Sequence, residues 1–78
     1  MKTDVLSRGT GRWEVHALTL AAKTKRGPST FKISVAASDL QHELGATSRT
    51  VLSVGRNVDE PTLWEVVVRL VWIDEDPS

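Results

Sequence analysis

The apolar run at residues 63–73 constrains the fold more than any other stretch of this chain. Every second position in it is apolar, and these positions would form one face of a β-strand: Trp64, Val66, Val68, Leu70 and Trp72. β-Branched and aromatic residues at a period of two favour a strand over a helix. The opposite positions are only partly polar, so this strand needs cover on both faces. We therefore predict a strand that is central in a sheet or part of an oligomer interface, with the five apolar residues in the core.

Residues 12–23 fit either a strand or a helix. Alternate residues from Trp13 to Ala21 would form one face of a strand, whereas Trp13, Ala17 and Leu20 would form one stripe of a helix. Glycines precede this segment, and a turn with glycine and proline follows it. Because such residues are typical of the connections between strands, we predict a strand here.

The middle of the chain contains three shorter patterns. Residues 30–36 alternate between apolar and polar and predict a second strand. Ser38, followed by Gln41 three residues later, matches a capping box, and Gly45 occupies the position of a left-handed C-cap. These signals predict a helix of about two turns between them. Residues 50–54 predict a short strand.

Together these elements predict an α+β fold: a small, mainly antiparallel β-sheet in the order β-β-α-β-β, with one short helix against a face. Residues 12–73 would form a single domain, residues 1–11 a flexible arm or short edge strand, and residues 74–78 an acidic tail. A chain of 78 residues without cysteine has a thin core and no disulfides to brace it. A homodimer or a tight complex with a larger partner is the remaining way to stabilise a core of this size.

No pattern of catalytic residues is recognisable, and we expect a protein that is not an enzyme. Without cysteine, His16 and His42 alone make a poor metal site, so we expect no metal and assign both histidines to exposed positions. Gly9 and Gly11 are followed by Glu14 where a dinucleotide-binding fingerprint needs a third glycine. We therefore expect no cofactor.

The sequence also predicts a cytoplasmic protein without membrane contact. No apolar run reaches the roughly 18 residues that a membrane span requires. The first residues lack the apolar stretch of a secretory signal. If the protein is encoded by a phage, the compartment would be the host cytoplasm.

Charged side chains are unevenly distributed, although the net charge is zero. Residues 1–32 carry seven basic and two acidic side chains, and residues 33–78 carry three basic and eight acidic ones. This division either gives the protein two oppositely charged surfaces or disappears when the two halves pair in the fold. One hypothesis is an acidic surface that fits a basic groove on another protein. Its residues would be Asp59, Glu60, Asp74, Glu75 and Asp76, with Trp13 as the aromatic contact. The alternative is a basic hairpin that binds nucleic acid through Lys23, Lys25, Arg26 and Lys32.

These observations favour a non-enzymatic protein-binding module. Its expected role is that of a small inhibitor or adaptor, which blocks a basic, nucleic-acid-binding surface of a larger protein or ribonucleoprotein complex. Small proteins without catalytic motifs are common among phage-encoded inhibitors of host machinery, including anti-CRISPR proteins; the similarity is one of type, not of residues. The second hypothesis is a small nucleic-acid-binding module that uses the basic hairpin.

Overall fold

The computed structural model describes the backbone of residues 2–8 and all of residues 12–73. The described residues form four strands and one helix: β1 (Lys2–Arg8), β2 (Trp13–Ala21), α1 (Thr30–Leu44), β3 (Ser48–Arg56) and β4 (Leu63–Val71). The strands pair antiparallel in one sheet, in the order β1-β2-β4-β3. The predicted class, α+β with a mainly antiparallel sheet and one helix, is confirmed.

The predicted order of elements is wrong in its second strand. Residues 30–36 form the first half of α1, so residues 12–73 run strand, helix, strand, strand. The alternation of Phe31, Ile33 and Val35 is real, but Ile33 also begins a helical spacing that continues at Ala37 and Leu40. The helical spacing decides the outcome, because Ala37 and Leu40 are buried whereas Phe31 is exposed.

The predicted start of the helix is also wrong. Ser29, not Ser38, is the N-cap, and its Oγ accepts a hydrogen bond of 3.1 Å from the backbone N–H of Lys32. The helix is 15 residues long rather than two turns. The predicted C-cap is confirmed: Gly45 has φ of 69°, and its backbone N–H donates to carbonyl oxygens at the end of the helix.

The core lies between α1 and one face of the two central strands, β2 and β4. Buried side chains come from alternate positions of each strand and from one side of the helix: Leu18, Leu20, Ala36, Ala37, Leu40, Val66, Val68 and Leu70. Residues 12–23 therefore contain the predicted strand, and β4 is central as predicted. Trp64, near the start of β4, and Trp72, the residue after its end, were predicted in the core but are only half-buried.

The second face of the sheet has no helix over it among the described residues. Half-buried apolar side chains lie along its centre: Val15, Ala17, Val67 and Val71. No helix in the described part of the chain has the length and apolar character that a membrane crossing requires.

Candidate functional site

The most exposed element of the fold is β3. It lies at one edge of the sheet, where the described residues pair it only with β4. All nine of its residues are exposed. Three of them are large and apolar, because Val51, Leu52 and Val54 keep between 41% and 48% of their surface in contact with solvent. A strand edge of this kind offers unpaired backbone N–H and C=O groups to another chain.

A bulge divides β3 at Leu52. Val51 pairs with Val68 of β4 and Ser53 pairs with Val67, so that Leu52 has no partner residue of its own. Side chains of paired residues lie on the same face of a sheet. Val51 therefore lies on the face that carries α1, because Val68 is buried beneath the helix.

Hydrogen bonds fix both ends of β3 to other elements. At the first end, Arg49 Nη1 donates to Gln41 Oε1 of α1. Gln41 Nε2 in turn donates to the carbonyl oxygens of Ala46 at 3.1 Å and Thr47 at 3.0 Å. Gln41, which the sequence assigned to the start of the helix, thus connects its end to the following strand. A strand held in this way loses little conformational freedom when it binds a partner.

The other end of β3 is fixed by Arg56. Its Nη2 atom donates to the carbonyl oxygen of Lys25 at 2.9 Å, and its guanidinium lies 5.1 Å from the centre of the Trp64 ring. A guanidinium over an indole ring at this distance makes a cation–π interaction. Arg56 therefore joins the edge strand to the loop that precedes α1.

The predicted acidic and basic residues meet at this same end of the sheet. Asp59 and Glu60 lie in the β3–β4 loop, which Asn57 orders by accepting hydrogen bonds of 2.9 Å from both of their backbone N–H groups. This loop is joined to the β2–α1 loop by a hydrogen bond of 3.0 Å between the backbone N–H of Ala22 and Thr62 O. The β2–α1 loop carries Lys23, Lys25 and Arg26.

A concavity of about 220 Å³ lies between these two loops, lined by Ala22, Lys23, Thr24, Lys25, Arg56, Pro61 and Thr62. The charged residues that line it are all basic, and Asp59 and Glu60 belong to the adjacent loop without lining the concavity. Lys32, the fourth basic residue of the predicted hairpin, lies instead in the first turn of α1, where its Nζ donates to the carbonyl oxygen of Ala21.

Trp13 lies at the opposite end of the sheet from Asp59 and Glu60. It pairs with Val71, whereas Ala21, at the far end of β2, pairs with Leu63 beside the acidic loop. Eight residue steps along a strand span about 26 Å. Trp13 is 39% exposed and borders a concavity of about 210 Å³ with Arg12, Arg69 and Val71. The remaining predicted acidic residues, Asp74, Glu75 and Asp76, lie outside the described residues.

The prediction that His16 is exposed is wrong. It lies on the core-facing side of β2 and is 4% exposed. Its Nε2 atom is 2.8 Å from Glu14 Oε1, and its Nδ1 atom has no hydrogen-bond partner among the described residues. Neither residue borders any of the concavities described in this structure. Because His16 is buried among the core-facing residues of β2, we assign the pair to the packing of the sheet.

A second exposed apolar surface lies on α1. Phe31 and Val35 border a groove of about 330 Å³ between the helix and β2, together with Leu20, Lys32, Ala36 and Asp39. The sequence did not indicate this groove, because residues 30–36 were predicted as a strand with Phe31, Ile33 and Val35 on the same face. In a helix, Phe31 and Val35 lie beside the buried stripe that contains Ala37 and Leu40. A helical reading of these residues would therefore have indicated that both are exposed.

Groups of metal ligands are also absent from the described residues: no three His, Asp or Glu side chains there come together in a way that could hold a metal ion.

Comparison with known proteins finds no matching family model, no matching curated protein and no matching solved structure. The function is therefore inferred from the surfaces of the molecule.

Proposed function

We propose that this protein is a non-enzymatic protein-binding module that takes up an extended segment of its partner along β3. The observation that carries the proposal is that a nine-residue strand at the edge of the sheet is exposed at every position. Addition of a strand to an exposed edge is a recurrent mode of protein recognition, in which backbone hydrogen bonds supply affinity and side chains supply specificity.

The residues of β3 support binding because they lack most of the features that protect an edge. Proteins commonly shield edge strands with proline, with central charges or by making them short. β3 contains no proline, and its charged residues, Arg49 and Arg56, lie near its two ends. The stretch between them is uncharged. Only the bulge at Leu52 interrupts the edge.

The side chains of β3 indicate the chemistry of the partner segment. Arg49, Val51, Val54 and Arg56 pair with residues of the core-facing row of β4, so they share the face that carries α1. Two cations thus flank two apolar residues on that face. An extended segment with apolar residues at its centre and carboxylates towards its ends complements this pattern.

More narrowly, we propose that the protein is an inhibitor or adaptor of a larger protein or ribonucleoprotein complex. Phages encode small proteins of this type against host machinery. Asp59 and Glu60 lie three and four residues beyond the end of β3, and both are exposed. In a complex built on β3 they would lie beside the end of the bound segment. We propose that these carboxylates contact a basic part of the same partner and block its access to nucleic acid.

Hydrogen exchange on the captured complex tests the use of β3. The tagged protein would be used to isolate its partner from lysate of the cells that carry its gene, and mass spectrometry would identify the partner. Backbone amides of β3 should exchange more slowly in the complex than in the free protein. Val51→Lys with Val54→Lys should weaken capture at least about tenfold, because each lysine places a cation at the centre of the contact.

A matched control is available on the uncovered face of the same sheet. Thr19→Lys with Val15→Lys adds the same two charges to β2, away from the β3 edge, and should leave capture unchanged. Protection confined to the loops around Lys25 and Glu60, with β3 unaffected, would contradict the proposal.

A second candidate function, binding of single-stranded nucleic acid, is favoured by the cations around Trp64. Arg56 lies over the Trp64 ring, and Lys23, Lys25 and Arg26 occupy the adjoining loop. Basic grooves that follow the phosphate backbone bind single strands. Fluorescence anisotropy with a labelled oligonucleotide tests this candidate, which requires that Lys23→Glu with Lys25→Glu abolish binding. The carboxylates of Asp59 and Glu60 beside this loop oppose phosphate, and for this reason protein binding is our first proposal.

A further inference from the structure

The outward side of α1 carries apolar side chains that the fold leaves in contact with solvent. Phe31 is 77% exposed and Val35 is 42% exposed. They border the groove of about 330 Å³ between α1 and β2. Exposed apolar surface bordered by polar residues is typical of a surface that another chain covers.

The two charged residues of the groove indicate what that chain is. Lys32 and Asp39 both line it, and they lie about two turns apart on α1. At that separation, about 10 Å along the axis, the two side chains of one helix are not neighbours. In a second α1 that runs antiparallel to the first, the order of the two charges is reversed. Lys32 of each copy then faces Asp39 of the other, and Val35 and Ala36 lie near the two-fold axis.

We propose that the protein forms a homodimer in which two antiparallel copies of α1 pack along this groove. Phe31 and Val35 supply the apolar contact, and two symmetric Lys32–Asp39 ion pairs set the register. A two-fold interface must be complementary to itself, and a groove with one cation, one anion and apolar residues around and between them meets that condition. The proposal concerns α1 and is independent of the function proposed for β3.

Charge reversal tests the register directly. Lys32→Glu alone places two carboxylates opposite each other at both contacts, and Asp39→Lys alone places two cations there. Each variant should dimerise at least about tenfold more weakly than the wild type, since two attractive pairs become repulsive. A mixture of the two variants restores opposite charges at both contacts. It should therefore contain heterodimers, which native mass spectrometry separates by mass.

Both variants should remain folded. Lys32→Glu loses the exposed hydrogen bond to Ala21 O. It gains a capping box with Ser29, the N-cap of α1, and a carboxylate in the first turn, where the helix dipole favours it. Asp39→Lys exchanges a weak helix former for a stronger one at an exposed position. Circular dichroism and thermal unfolding of each variant check this expectation.

Phe31→Ser is a further variant that should abolish the dimer without unfolding the protein, because Phe31 lies outside the core.

Lys25→Glu and Asp59→Lys serve as matched controls, because they make the same changes of charge in the two loops. Sedimentation equilibrium should give these controls the dimer dissociation constant of the wild type. A wild-type protein that sediments as a monomer at the highest soluble concentration would overturn the proposal. So would single variants that dimerise as strongly as the wild type, or a mixture of the two variants without heterodimers.

Discussion

Gly27 lies so close to the indole ring of Trp64 that no side chain fits between them. A Cβ atom added at Gly27 would lie 2.8 Å from two atoms of that ring, and Gly27 has φ of 83°. Glycine is therefore required there both by the lack of space and by the backbone conformation. Because Arg56 also contacts the ring, Trp64 connects the loop before α1 to the end of β3.

Substitution of three glycines by alanine should separate these two requirements. Gly27→Ala should lower the free energy of unfolding by about 2 to 4 kcal/mol, from the left-handed backbone and the clash with Trp64 together. Gly45→Ala should cost about 1 kcal/mol, because its φ is also positive but no atom lies within 4 Å of the added Cβ. Gly55→Ala, with neither constraint, is the control and should change stability little. Urea denaturation measures all three; equal losses at Gly27 and Gly45 would contradict the contact with Trp64.

Val68 and Val51 are paired across β4 and β3 and should respond very differently to the same change. Val68→Asp buries an unpaired charge beneath α1, at a cost of several kcal/mol that is comparable to the whole stability of a small domain. Val51→Asp places the charge in solvent and should cost about 1 kcal/mol or less. Circular dichroism should show an unfolded Val68→Asp protein and a folded Val51→Asp protein. A cooperative thermal transition in the Val68→Asp protein would show that this face is not the core.

Two serines distinguish the observed start of α1 from the predicted one. Ser29→Ala removes the N-cap and should lower the free energy of unfolding by about 1 kcal/mol. Ser38→Ala, within the helix, should leave stability unchanged or raise it slightly, because alanine is the better helix former. If thermal denaturation instead showed the larger loss for Ser38→Ala, the helix would begin where the sequence pattern placed it.

Gln41 should stabilise the connection between α1 and β3. Gln41→Met keeps the length of the side chain but removes its donors to Ala46 O and Thr47 O, as well as its acceptor for Arg49. The expected loss is about 1 to 2 kcal/mol, since these are polar contacts near the surface. Amide exchange should also become faster at the first residues of β3. Gln41→Glu, which keeps the acceptor for Arg49 but loses both donors, should give an intermediate loss.

Reversal of the charges in the two loops should identify which of them contacts the partner. Asp59→Lys with Glu60→Lys should weaken partner capture and leave the fold intact, because exposed charges contribute little to stability. The loss should be greatest at low ionic strength, since salt screens exposed charges beyond about 10 Å. Lys23→Glu with Lys25→Glu is the mirror experiment. Loss of capture in that variant alone would favour the basic loop as the contact.

The strands were predictable where the alternation of apolar residues agreed with burial. β4 is the clearest case, because Val66, Val68 and Leu70 are buried beneath one helix. The pattern at residues 30–36 failed because Ile33 fits both a period of two and a helical spacing. Local sequence cannot choose between the two periods, whereas the packing of Ala37 and Leu40 against the sheet does.

The candidate surfaces were less predictable, because they depend on which strands become neighbours. Residues 50–54 were predicted as a strand, but nothing in them indicates a place at the edge of the sheet. β3 lies at the edge because β2 and β4 pair with each other, which leaves no position for β3 between them. The same pairing places Trp13 at the opposite end of the sheet from Asp59, although the sequence assigned both to one surface.

The pairing of β2 with β4 also has a consequence for biosynthesis. The β1–β2 and β3–β4 hairpins are each local in the chain and can form as soon as their own residues are available. The core, by contrast, needs residues 13–21 and residues 63–71 side by side. In a nascent chain that still lacks β4, α1 alone could pack against Leu18 and Leu20, and the β4 half of the core would be missing. The protein should therefore complete its core only after residues 63–71 have emerged from the ribosome, in a single late step.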